Sequence, residues 1–232
     1  MTLVLHELCG SDPARVFSPF CWRIHMALLH KGLPFESRPW RFGDRAEIAD
    51  AGADKVPVLR DGDRSLRESW DILLYLEDHY PGRPTLFGGE GGRALSRFVL
   101  DWCDTVLHPA VGGLIISDIP PLLRPADRDY FESSRTARFG RPLHEVTAGR
   151  EERLPAFRKL LEPLRATLRR QFWLHGATPG AADYIVFGAF QWARCVSPLP
   201  LLEAEDPVHG WRGRLLDAFG GAARAVPAVD PG

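Results

Sequence analysis

One short helix, with residues that mark both its start and its end, constrains the fold of this chain more than any other feature. Ser18 is a favourable N-cap, and Pro19 suits the first helical position, where its missing N–H would have no intrahelical partner. Gly32 is a natural stop, because glycine readily adopts the left-handed conformation that ends many helices. A short apolar strand at 3–5 precedes the helix and a second strand at 34–39 follows it. The sequence therefore predicts a strand–helix–strand unit whose helix N-terminus, together with the Ser18 hydroxyl, would stabilise an anion.

The rest of the N-terminal part adds a β-hairpin and a second helix. Two short apolar runs, 55–60 and 65–66, are separated by an Asp-Gly turn, which is typical of a hairpin. Pro57 would be either a residue at a sheet edge or a cis peptide that frees a backbone edge for a ligand. The mixed stretch 41–50 fits a short exposed helix or a loop, and a helix is predicted over 68–77. The predicted order is β-α-β-(α)-β-β-α.

Strand signals disappear after this point, and the remainder of the chain is predicted to be helical. Helices are predicted at 94–111, with a broad apolar face that includes Leu95 and Phe98, at 127–139, at 150–172 with a kink at Pro163, at 181–196, and at 207–219. The stretch 181–196 is apolar nearly all round and is the predicted central helix, whereas the tail after Gly220-Gly221 is predicted to be frayed. The sequence thus predicts an α/β domain at 1–83, a linker rich in Gly and Pro at 84–92, and an all-α domain at 93–232.

Composition excludes several classes of function. The net charge of −1 gives no general attraction to nucleic acid or to a membrane surface. The four cysteines are scattered without the spacing of a metal site or a disulfide framework, so a reduced cytoplasmic setting and no metal are expected. The N-terminus lacks the pattern of a signal peptide, and no apolar run reaches the roughly 20 residues of a membrane span.

Three motifs follow one another along the predicted α/β domain. They are Ser18-Pro19-Phe20-Cys21, Val56-Pro57 and Glu68-Ser69. Their order and spacing resemble the glutathione S-transferase family, in which a thioredoxin-like domain precedes an all-helical one. The longer stretches at 127–155 and 182–198 are similar to those of the bacterial glutathione-dependent β-aryl etherases and their fungal-type, FuA-like relatives.

The resemblance implies a role for each motif. Glutathione reacts as its thiolate, and Ser18 would donate a hydrogen bond to that sulfur while the helix N-terminus supplies positive potential. Val56, which precedes Pro57, would pair its backbone with the tripeptide as an added strand. Glu68 would accept the ammonium of glutathione, and Ser69 would hold the γ-glutamyl carboxylate. Further candidates, for the glycine end of the tripeptide, are Trp40, Arg41 and Lys55.

Each of these residues also has a structural interpretation. Ser18 by itself is more often only a helix cap, but its combination with the other two motifs favours catalysis. Cys21 stands where a dithiol site would have its second thiol, and it is interpreted as a packing residue; His25 and His30 are likewise interpreted as structural. A pocket for an aromatic substrate is predicted from aromatic residues that are individually typical of a core, namely Phe17, Phe20, Trp102, Tyr130, Phe131 and Trp192.

The chain departs from the family pattern at the start of the predicted central helix. The family usually has Ser or Thr three residues before the aspartate, whereas here Gly180 precedes Asp183. Asp183 would still accept the N–H of residue 180, so half of the capping box is expected to remain.

The favoured function is a glutathione transferase that attacks an electrophilic carbon, with cleavage of β-aryl ethers from lignin as the implied reaction. The alternatives are general conjugation of aromatic electrophiles for detoxification and a non-catalytic protein that binds glutathione. The implied partners are glutathione as cosubstrate and an aromatic small molecule. The resemblance also implies a homodimer, in which Asp101 would approach the glutathione site of the neighbouring subunit.

Overall fold

A mixed four-stranded sheet is the centre of the first domain in the computed structural model, which describes residues 2–230. In chain order, the elements are β1 (Leu3–Leu8), α1 (Pro19–His30), β2 (Phe35–Trp40), a 3-10 helix (Arg45–Ala51), β3 (Val58–Asp61), β4 (Arg64–Arg67) and α2 (Ser69–His79). The strands lie in the order β2-β1-β3-β4, with β1 and β2 parallel and the other pairs antiparallel. The predicted thioredoxin-like domain is thereby confirmed, and the stretch that fitted either a helix or a loop is a 3-10 helix.

The predicted caps of α1 are confirmed. The backbone N–H of Cys21 donates to the Ser18 Oγ at 3.4 Å, and Pro19 occupies the first position of the helix. Gly32 follows Lys31, the C-cap residue of α1, and has a φ of +59°, a left-handed conformation that a side chain would strain. The start of α1 is therefore fixed by local sequence, which is what a binding site at that helix end requires.

The second domain is all-helical, as predicted. Its elements are α3 (Glu90–Trp102), a π-helical turn (Cys103–Leu107), α4 (His108–Ile115), two short 3-10 turns (Ile116–Asp118 and Pro120–Leu122), α5 (Pro125–Phe139), α6 (Leu143–Val146), α7 (Arg150–Leu160), α8 (Glu162–Leu168), α9 (Ala181–Val196) and α10 (Pro207–Ala225). The predicted kink appears as a break at Leu161, with Pro163 in the first turn of α8. Helix α3 begins at Glu90, inside the segment that the sequence predicted as a linker; the domain boundaries themselves stay a prediction.

One part of the predicted apolar face on α3 is not buried. Leu95 and Phe98 are 68% and 70% exposed, although periodicity placed them with the core residues of the same helix. Leu100 on α3, by contrast, is buried in the core. The apolar stripe of α3 is therefore wider than the surface that α9 covers, and two large apolar side chains face outward.

The segment Glu90–Asp118 also corrects the expectation about membrane spans. Its helical turns follow one another for 29 residues, and its most apolar window has a mean hydropathy of 1.3, enough by length and composition to cross a membrane. Half of that window is buried inside the protein. A core helix of a soluble domain has the same properties, so the segment is weak support for a membrane location.

The predicted central helix α9 is confirmed, since all of its residues except Trp192 are buried. The Asp183 carboxylate accepts the N–H of Gly180 at 3.1 Å, which is the expected half of the capping box. It also accepts the backbone N–H groups of Leu174 and His175 and the indole N–H of Trp211. A Cβ at Gly180 would lie 2.5 Å from the His175 ring, so the imidazole occupies the space where the family has a Ser or Thr side chain.

The prediction of a frayed tail is wrong for residues 226–230. Helix α10 is interrupted at Ala218, and Phe219, Gly220 and Gly221 all have positive φ, which agrees with the predicted stop at the glycine pair. Beyond it, the backbone N–H groups of Val229 and Asp230 donate to the Arg194 carbonyl of α9. Buried Arg194 thus holds the C-terminal segment against the core; residues 231 and 232 lie outside the described residues.

Candidate functional site

A pocket of about 170 Å³ lies between the N-terminal ends of α1 and α2. It is lined by Phe20, Gly52, Ala53, Asp54, Lys55, Val56, Pro57, Arg67, Glu68 and Ser69. Six of these are residues that the sequence singled out, and they come from all three motifs. The folding of the chain therefore brings together three motifs that are separated by up to about fifty residues.

Ser18 lies at the start of α1 next to this pocket and is 4% exposed. Its oxygen accepts the N–H of Cys21, so one lone pair serves the helix cap. A hydroxyl that accepts one hydrogen bond still has its proton to donate. Ser18 is therefore able to cap α1 and to donate to a ligand atom at the same time.

The Cys21 thiol is not suited to act as a nucleophile. It is completely buried, and burial raises the pKa of Cys21 to about 12, so the side chain stays a neutral thiol. Cys9 is 1% exposed, and burial raises its pKa to about 11. This agrees with the interpretation of Cys21 as a packing residue, since both sulfur atoms belong to the core beneath the site.

The backbone at Val56 is open to a ligand. The Val56–Pro57 peptide is cis, the second of the two conformations considered from the sequence. Among the described residues, the Val56 N–H and C=O form no backbone hydrogen bond, whereas Val58 pairs with both His6 and Arg67. Val56 thus offers an unpaired strand edge inside the pocket, where an extended peptide would add.

Glu68 has an unusual backbone conformation at the N-cap of α2. Its φ is +65° and its ψ is 118°, a combination that costs a residue with a side chain about 1–3 kcal/mol and that clusters at functional sites. The Glu68 carboxylate lies 3.0 Å from the Lys55 Nζ, but both side chains are more than half exposed. An exposed pair of this kind is worth little, so the carboxylate remains available to a ligand cation.

Arg23 is a site residue that sequence analysis missed. It is fully buried on α1, and its Nη1 donates to the Ser69 Oγ at 3.2 Å. The same guanidinium forms an ion pair with Asp104 of the π-helical turn. Burial would raise the pKa of Asp104, but hydrogen bonds from His108 and Arg23 outweigh it and lower that pKa to about 2. The ion pair of Arg23 and Asp104 therefore orients the Ser69 hydroxyl and connects α2 to the second domain. The one sequence signal that could have identified Arg23 is its charge on the apolar face of α1.

The π-helical turn also brings together three side chains of metal-binding type. The ligand atoms of Cys103, Asp104 and His108 lie within 4.8 Å of one another. Burial raises the pKa of the Cys103 thiol to about 12 and lowers the pKa of His108, which leaves both side chains neutral. Asp104 is already paired with Arg23, and this guanidinium would repel a cation. The expectation of no metal stays a prediction.

Two of the candidates for the glycine end lie outside the pocket. Trp40 is 2% exposed, and its indole N–H donates to the Asp44 carbonyl at 2.8 Å. The Arg41 Nε donates to the Gly10 carbonyl at 3.1 Å. Lys55, the third candidate, lines the pocket. Contact of Trp40 or Arg41 with a bound ligand therefore stays a prediction.

The six aromatic candidates for a substrate pocket divide into two groups. Phe20 and Tyr130 are 40% and 43% exposed, and Trp102 and Trp192 are partly buried. Phe17 and Phe131 are each only 2% exposed, so their rings belong to the hydrophobic core.

The two histidines of α1 have structural partners. The His25 Nδ1 lies 3.0 Å from a carboxylate oxygen of buried Glu7. The His30 Nδ1 lies 2.7 Å from the hydroxyl of Tyr184 on α9. Both contacts agree with the interpretation of these histidines as structural.

The start of α1 rests directly on α9, and these two helices form the most extensive contact between the domains. A Cβ at Gly188, in the middle of α9, would lie 2.3 Å from the Pro19 carbonyl oxygen. Only glycine permits this approach of backbone to backbone. The position of Ser18 is therefore set by the second domain as well as by its own helix.

Comparison with known proteins agrees with this architecture. The model of the glutathione S-transferase N-terminal domain matches residues 14–84, and that of the C-terminal domain matches residues 94–219. This chain belongs to the glutathione S-transferase family. The family predicted from the three motifs is thereby confirmed.

Individual relatives are distant. The chain is 27% identical to a maleylpyruvate isomerase of Ralstonia sp., over 90% of this chain and 92% of that protein. It is 34% identical to the probable glutathione S-transferase GSTU1 of Oryza sativa subsp. indica, but the match spans only 39% of this chain and 44% of the rice protein. Among the curated relatives it matches, the chain thus spans less than half the length of the plant proteins.

Solved structures with the same fold include fungal enzymes. Glutathione transferase GSTFuA3 of Phanerochaete chrysosporium has a TM-score of 0.75 at 23% identity, with 97% of this chain and 94% of that chain covered. The glutathione S-transferase CsGST63524 of Ceriporiopsis subvermispora, solved in complex with glutathione, has a TM-score of 0.76 at 18% identity, with 96% and 98% covered. The resemblance to FuA-like proteins therefore holds for the fold.

Proposed function

We propose that this glutathione S-transferase binds glutathione in the pocket between α1 and α2, ionises its thiol at Ser18, and directs the thiolate at an electrophilic carbon. The observation that carries the proposal is the convergence of Val56, Glu68 and Ser69 on one pocket at the N-terminus of α1. These groups match the three polar parts of the tripeptide in type and order.

Glutathione would bind along the first domain as an added strand. The unpaired backbone of Val56 pairs with the cysteinyl residue of the tripeptide, and Glu68 accepts its ammonium. Ser69 and the first N–H groups of α2 hold the γ-glutamyl carboxylate at a helix N-terminus, which favours anions. Arg23 adds positive charge behind Ser69 and fixes its hydroxyl. In this proposed binding mode the thiol would lie beside Ser18.

The finer proposal is that the electrophile is a β-aryl ether of the kind found in lignin fragments. The thiolate attacks the carbon next to a ketone, a carbon–sulfur bond forms, and the carbon–oxygen bond to the aryl group breaks with its electron pair. The phenoxide takes a proton from water, so the products are a thioether and a phenol. A phenol has a pKa of about 10, so phenoxide leaves without a strong general acid. Exposed Phe20 and the aromatic residues of the second domain support a cleft for such a substrate.

An aryl ether ketone with a fluorogenic phenol tests the reaction. Incubated with the protein and glutathione, it should release phenol and form the thioether in equal amounts. If this substrate stays intact while a chlorinated nitroaromatic is conjugated, the protein is a general transferase rather than an etherase. If neither reacts and bound glutathione keeps its solution thiol pKa, the protein binds glutathione without catalysis.

We also propose that the protein is a homodimer, and we expect light scattering to give twice the 26.0 kDa mass of one chain at micromolar concentration. The support is the pair of exposed apolar side chains on α3, Leu95 and Phe98, which a second subunit would cover. Phe98→Glu should shift the mass to that of a monomer, whereas Phe172→Glu, at another exposed phenylalanine, should not. A wild-type mass of 26.0 kDa would contradict the dimer and, with it, the approach of Asp101 to the neighbouring site.

A further inference from the structure

Arg135 on α5 lies among aromatic rings and has no anionic partner among residues 2–230. Its guanidinium carbon lies 4.9 Å from the centre of the Phe131 ring and 5.6 Å from that of Phe42. Its one hydrogen bond among the described residues goes from Nη1 to the Ser134 hydroxyl at 3.0 Å, which leaves Nε and Nη2 unpaired. Partial burial lowers the pKa of Arg135, because the charged guanidinium loses solvation, and the nearby charge of Arg138 lowers it further.

Most of the other buried or partly buried arginines of the second domain differ in this respect. Arg124, Arg150 and Arg165 pair with carboxylates of neighbouring elements, and Arg153 and Arg194 donate to two or more backbone carbonyls. Arg214 resembles Arg135, since its one hydrogen bond among the described residues goes to the Phe172 carbonyl, but it packs against Phe172 and Trp173 instead. Removing a guanidinium from water costs free energy unless anions or carbonyls replace the solvent. Arg135 therefore retains a binding capacity that the fold itself does not use.

The position of Arg135 connects it to the cleft beside the glutathione pocket. Phe131, Arg135 and Phe139 are four residues apart on α5 and share one face of the helix. The Phe131 ring contacts Phe42, which packs on the cluster that contains Cys21, Trp40 and Val56 beneath the pocket. At the C-terminal end of α5, the Phe139 ring lies close to Gly112 of α4, and so does the Trp192 ring of α9. A Cβ at Gly112 would lie 3.8 Å from the Phe139 ring and 3.4 Å from the Trp192 ring.

The opposite wall of the cleft leads back to α1. Trp192 contacts His108 with ring centres 6.3 Å apart, and His108 contacts Phe20 at 5.1 Å. Phe20 itself lines the glutathione pocket. Arg135 thus belongs to a series of ring contacts that runs from Phe42 in the first domain to α5, and a second series runs from Trp192 on α9 back to Phe20.

We propose that Arg135 determines specificity by binding a carboxylate on the aromatic electrophile. This inference rests on the proposed function and specifies its substrate class. The two unpaired nitrogens of the guanidinium match the two oxygens of a carboxylate, and the partly exposed rings of Phe42 and Tyr130 provide apolar contact to the aromatic body. A carboxylate is the acidic group that is fully ionised at neutral pH, whereas a phenol remains protonated.

Neighbouring charges strengthen the attraction for an anion. Arg45 lies with its guanidinium carbon 4.6 Å from the centre of the Tyr130 ring, and Arg138 is close enough to lower the pKa of Arg135. Neither Arg45 nor Arg138 has a carboxylate partner among the described residues. Two further guanidinium groups therefore lie near these rings.

Calorimetry tests this assignment without requiring turnover. The protein is first saturated with S-methylglutathione and is then titrated either with naphthoate or with neutral naphthamide. Wild type should bind naphthoate at least about 10-fold more tightly than naphthamide, because a charge-assisted hydrogen bond has this strength. Arg135→Gln should abolish the preference, and Arg135→Lys should retain part of it. Arg83→Gln removes a charge near Gly32, at the far end of α1, and should leave the preference unchanged.

Equal affinity of wild type for the two ligands would overturn the proposal, and so would a preference that survives in folded Arg135→Gln. If Arg135→Gln does not fold, the wild-type affinities for naphthoate and naphthamide still test whether the site prefers a carboxylate. Arg135→Lys then tests whether that preference depends on residue 135. Conjugation of a chlorodinitrobenzoate and of its methyl ester separates this inference from the proposed function. If the wild-type protein conjugates neither compound, the proposed transferase function is contradicted and the role of Arg135 is not. If it conjugates both, and Arg135→Gln lowers the two rates by the same factor, only the role of Arg135 is contradicted.

Discussion

Ser18→Ala is expected to raise the pKa of bound glutathione by about 1–2 units, because a hydrogen bond to a charged group contributes about 1.5–3 kcal/mol. A thiol pKa near 8.5 falls by roughly two units for about 2.7 kcal/mol of differential stabilisation, which one such bond and a helix N-terminus together supply. A rise of the thiol pKa from about 6.5 to about 7.5–8.5 lowers the thiolate fraction at pH 6.5 from about one half to about 1–9%, so turnover falls about 5- to 50-fold. Glutathione affinity should change little, since Val56, Glu68 and Ser69 remain.

The thiolate absorbance of bound glutathione, followed over pH, measures this effect directly. Loss of the helix cap will also lower stability by about 1 kcal/mol, so melting curves must accompany the titration. Ser18→Thr keeps both the cap and the hydroxyl and should keep most of the activity. A Ser18→Ala protein with wild-type turnover at neutral pH would show that the helix N-terminus or another residue ionises the thiol.

Gly188→Ala is expected to disturb the site from the second domain. Its Cβ would lie 2.3 Å from the Pro19 carbonyl oxygen, a backbone atom that cannot rotate away. Overpacking of this kind costs about 1–3 kcal/mol, which lowers the Tm of a chain of this size by about 2–12 °C. The first turn of α1 must move away from α9 and take Ser18 with it. Because displacements below 1 Å already impair catalysis, we expect kcat to fall about 10-fold.

Gly213→Ala is the matched control, because it adds the same methyl group to a helical glycine with open space around it. This variant should be stabilised by about 0.5–1 kcal/mol and keep full activity. Thermal melting and the pH dependence of kcat measure both effects. If Gly188→Ala loses stability but keeps the wild-type thiol pKa and kcat, α9 supports the fold without positioning Ser18.

The sequence alone was sufficient for features that depend on neighbouring residues. Ser18, Pro19 and Gly32 predicted both ends of α1, because caps act through hydrogen bonds and backbone conformations within one or two turns. The apolar run of α9 predicted its burial, since no solvent-facing stripe was present. The order of Val56-Pro57 and Glu68-Ser69 after the first motif predicted the family and most of the pocket.

Contacts between distant parts of the chain were decided only by the tertiary structure. Periodicity placed Leu95 and Phe98 in the core, because it shows that a helix has an apolar stripe. It does not show how much of that stripe a neighbouring helix covers. The tail was predicted to fray, because nothing near it in sequence indicated that the Arg194 carbonyl would receive its N–H groups. In the sequence, Arg23 and Arg135 resemble any other arginines of a charged chain. Only the structure shows that Arg23 contacts Ser69 and Asp104 and that Arg135 has no anionic partner in the described part of the chain. The sequence by itself determined the helix ends, the buried helix and the family, whereas the partners of these buried charges depend on packing between residues far apart in the chain, which no local pattern encodes.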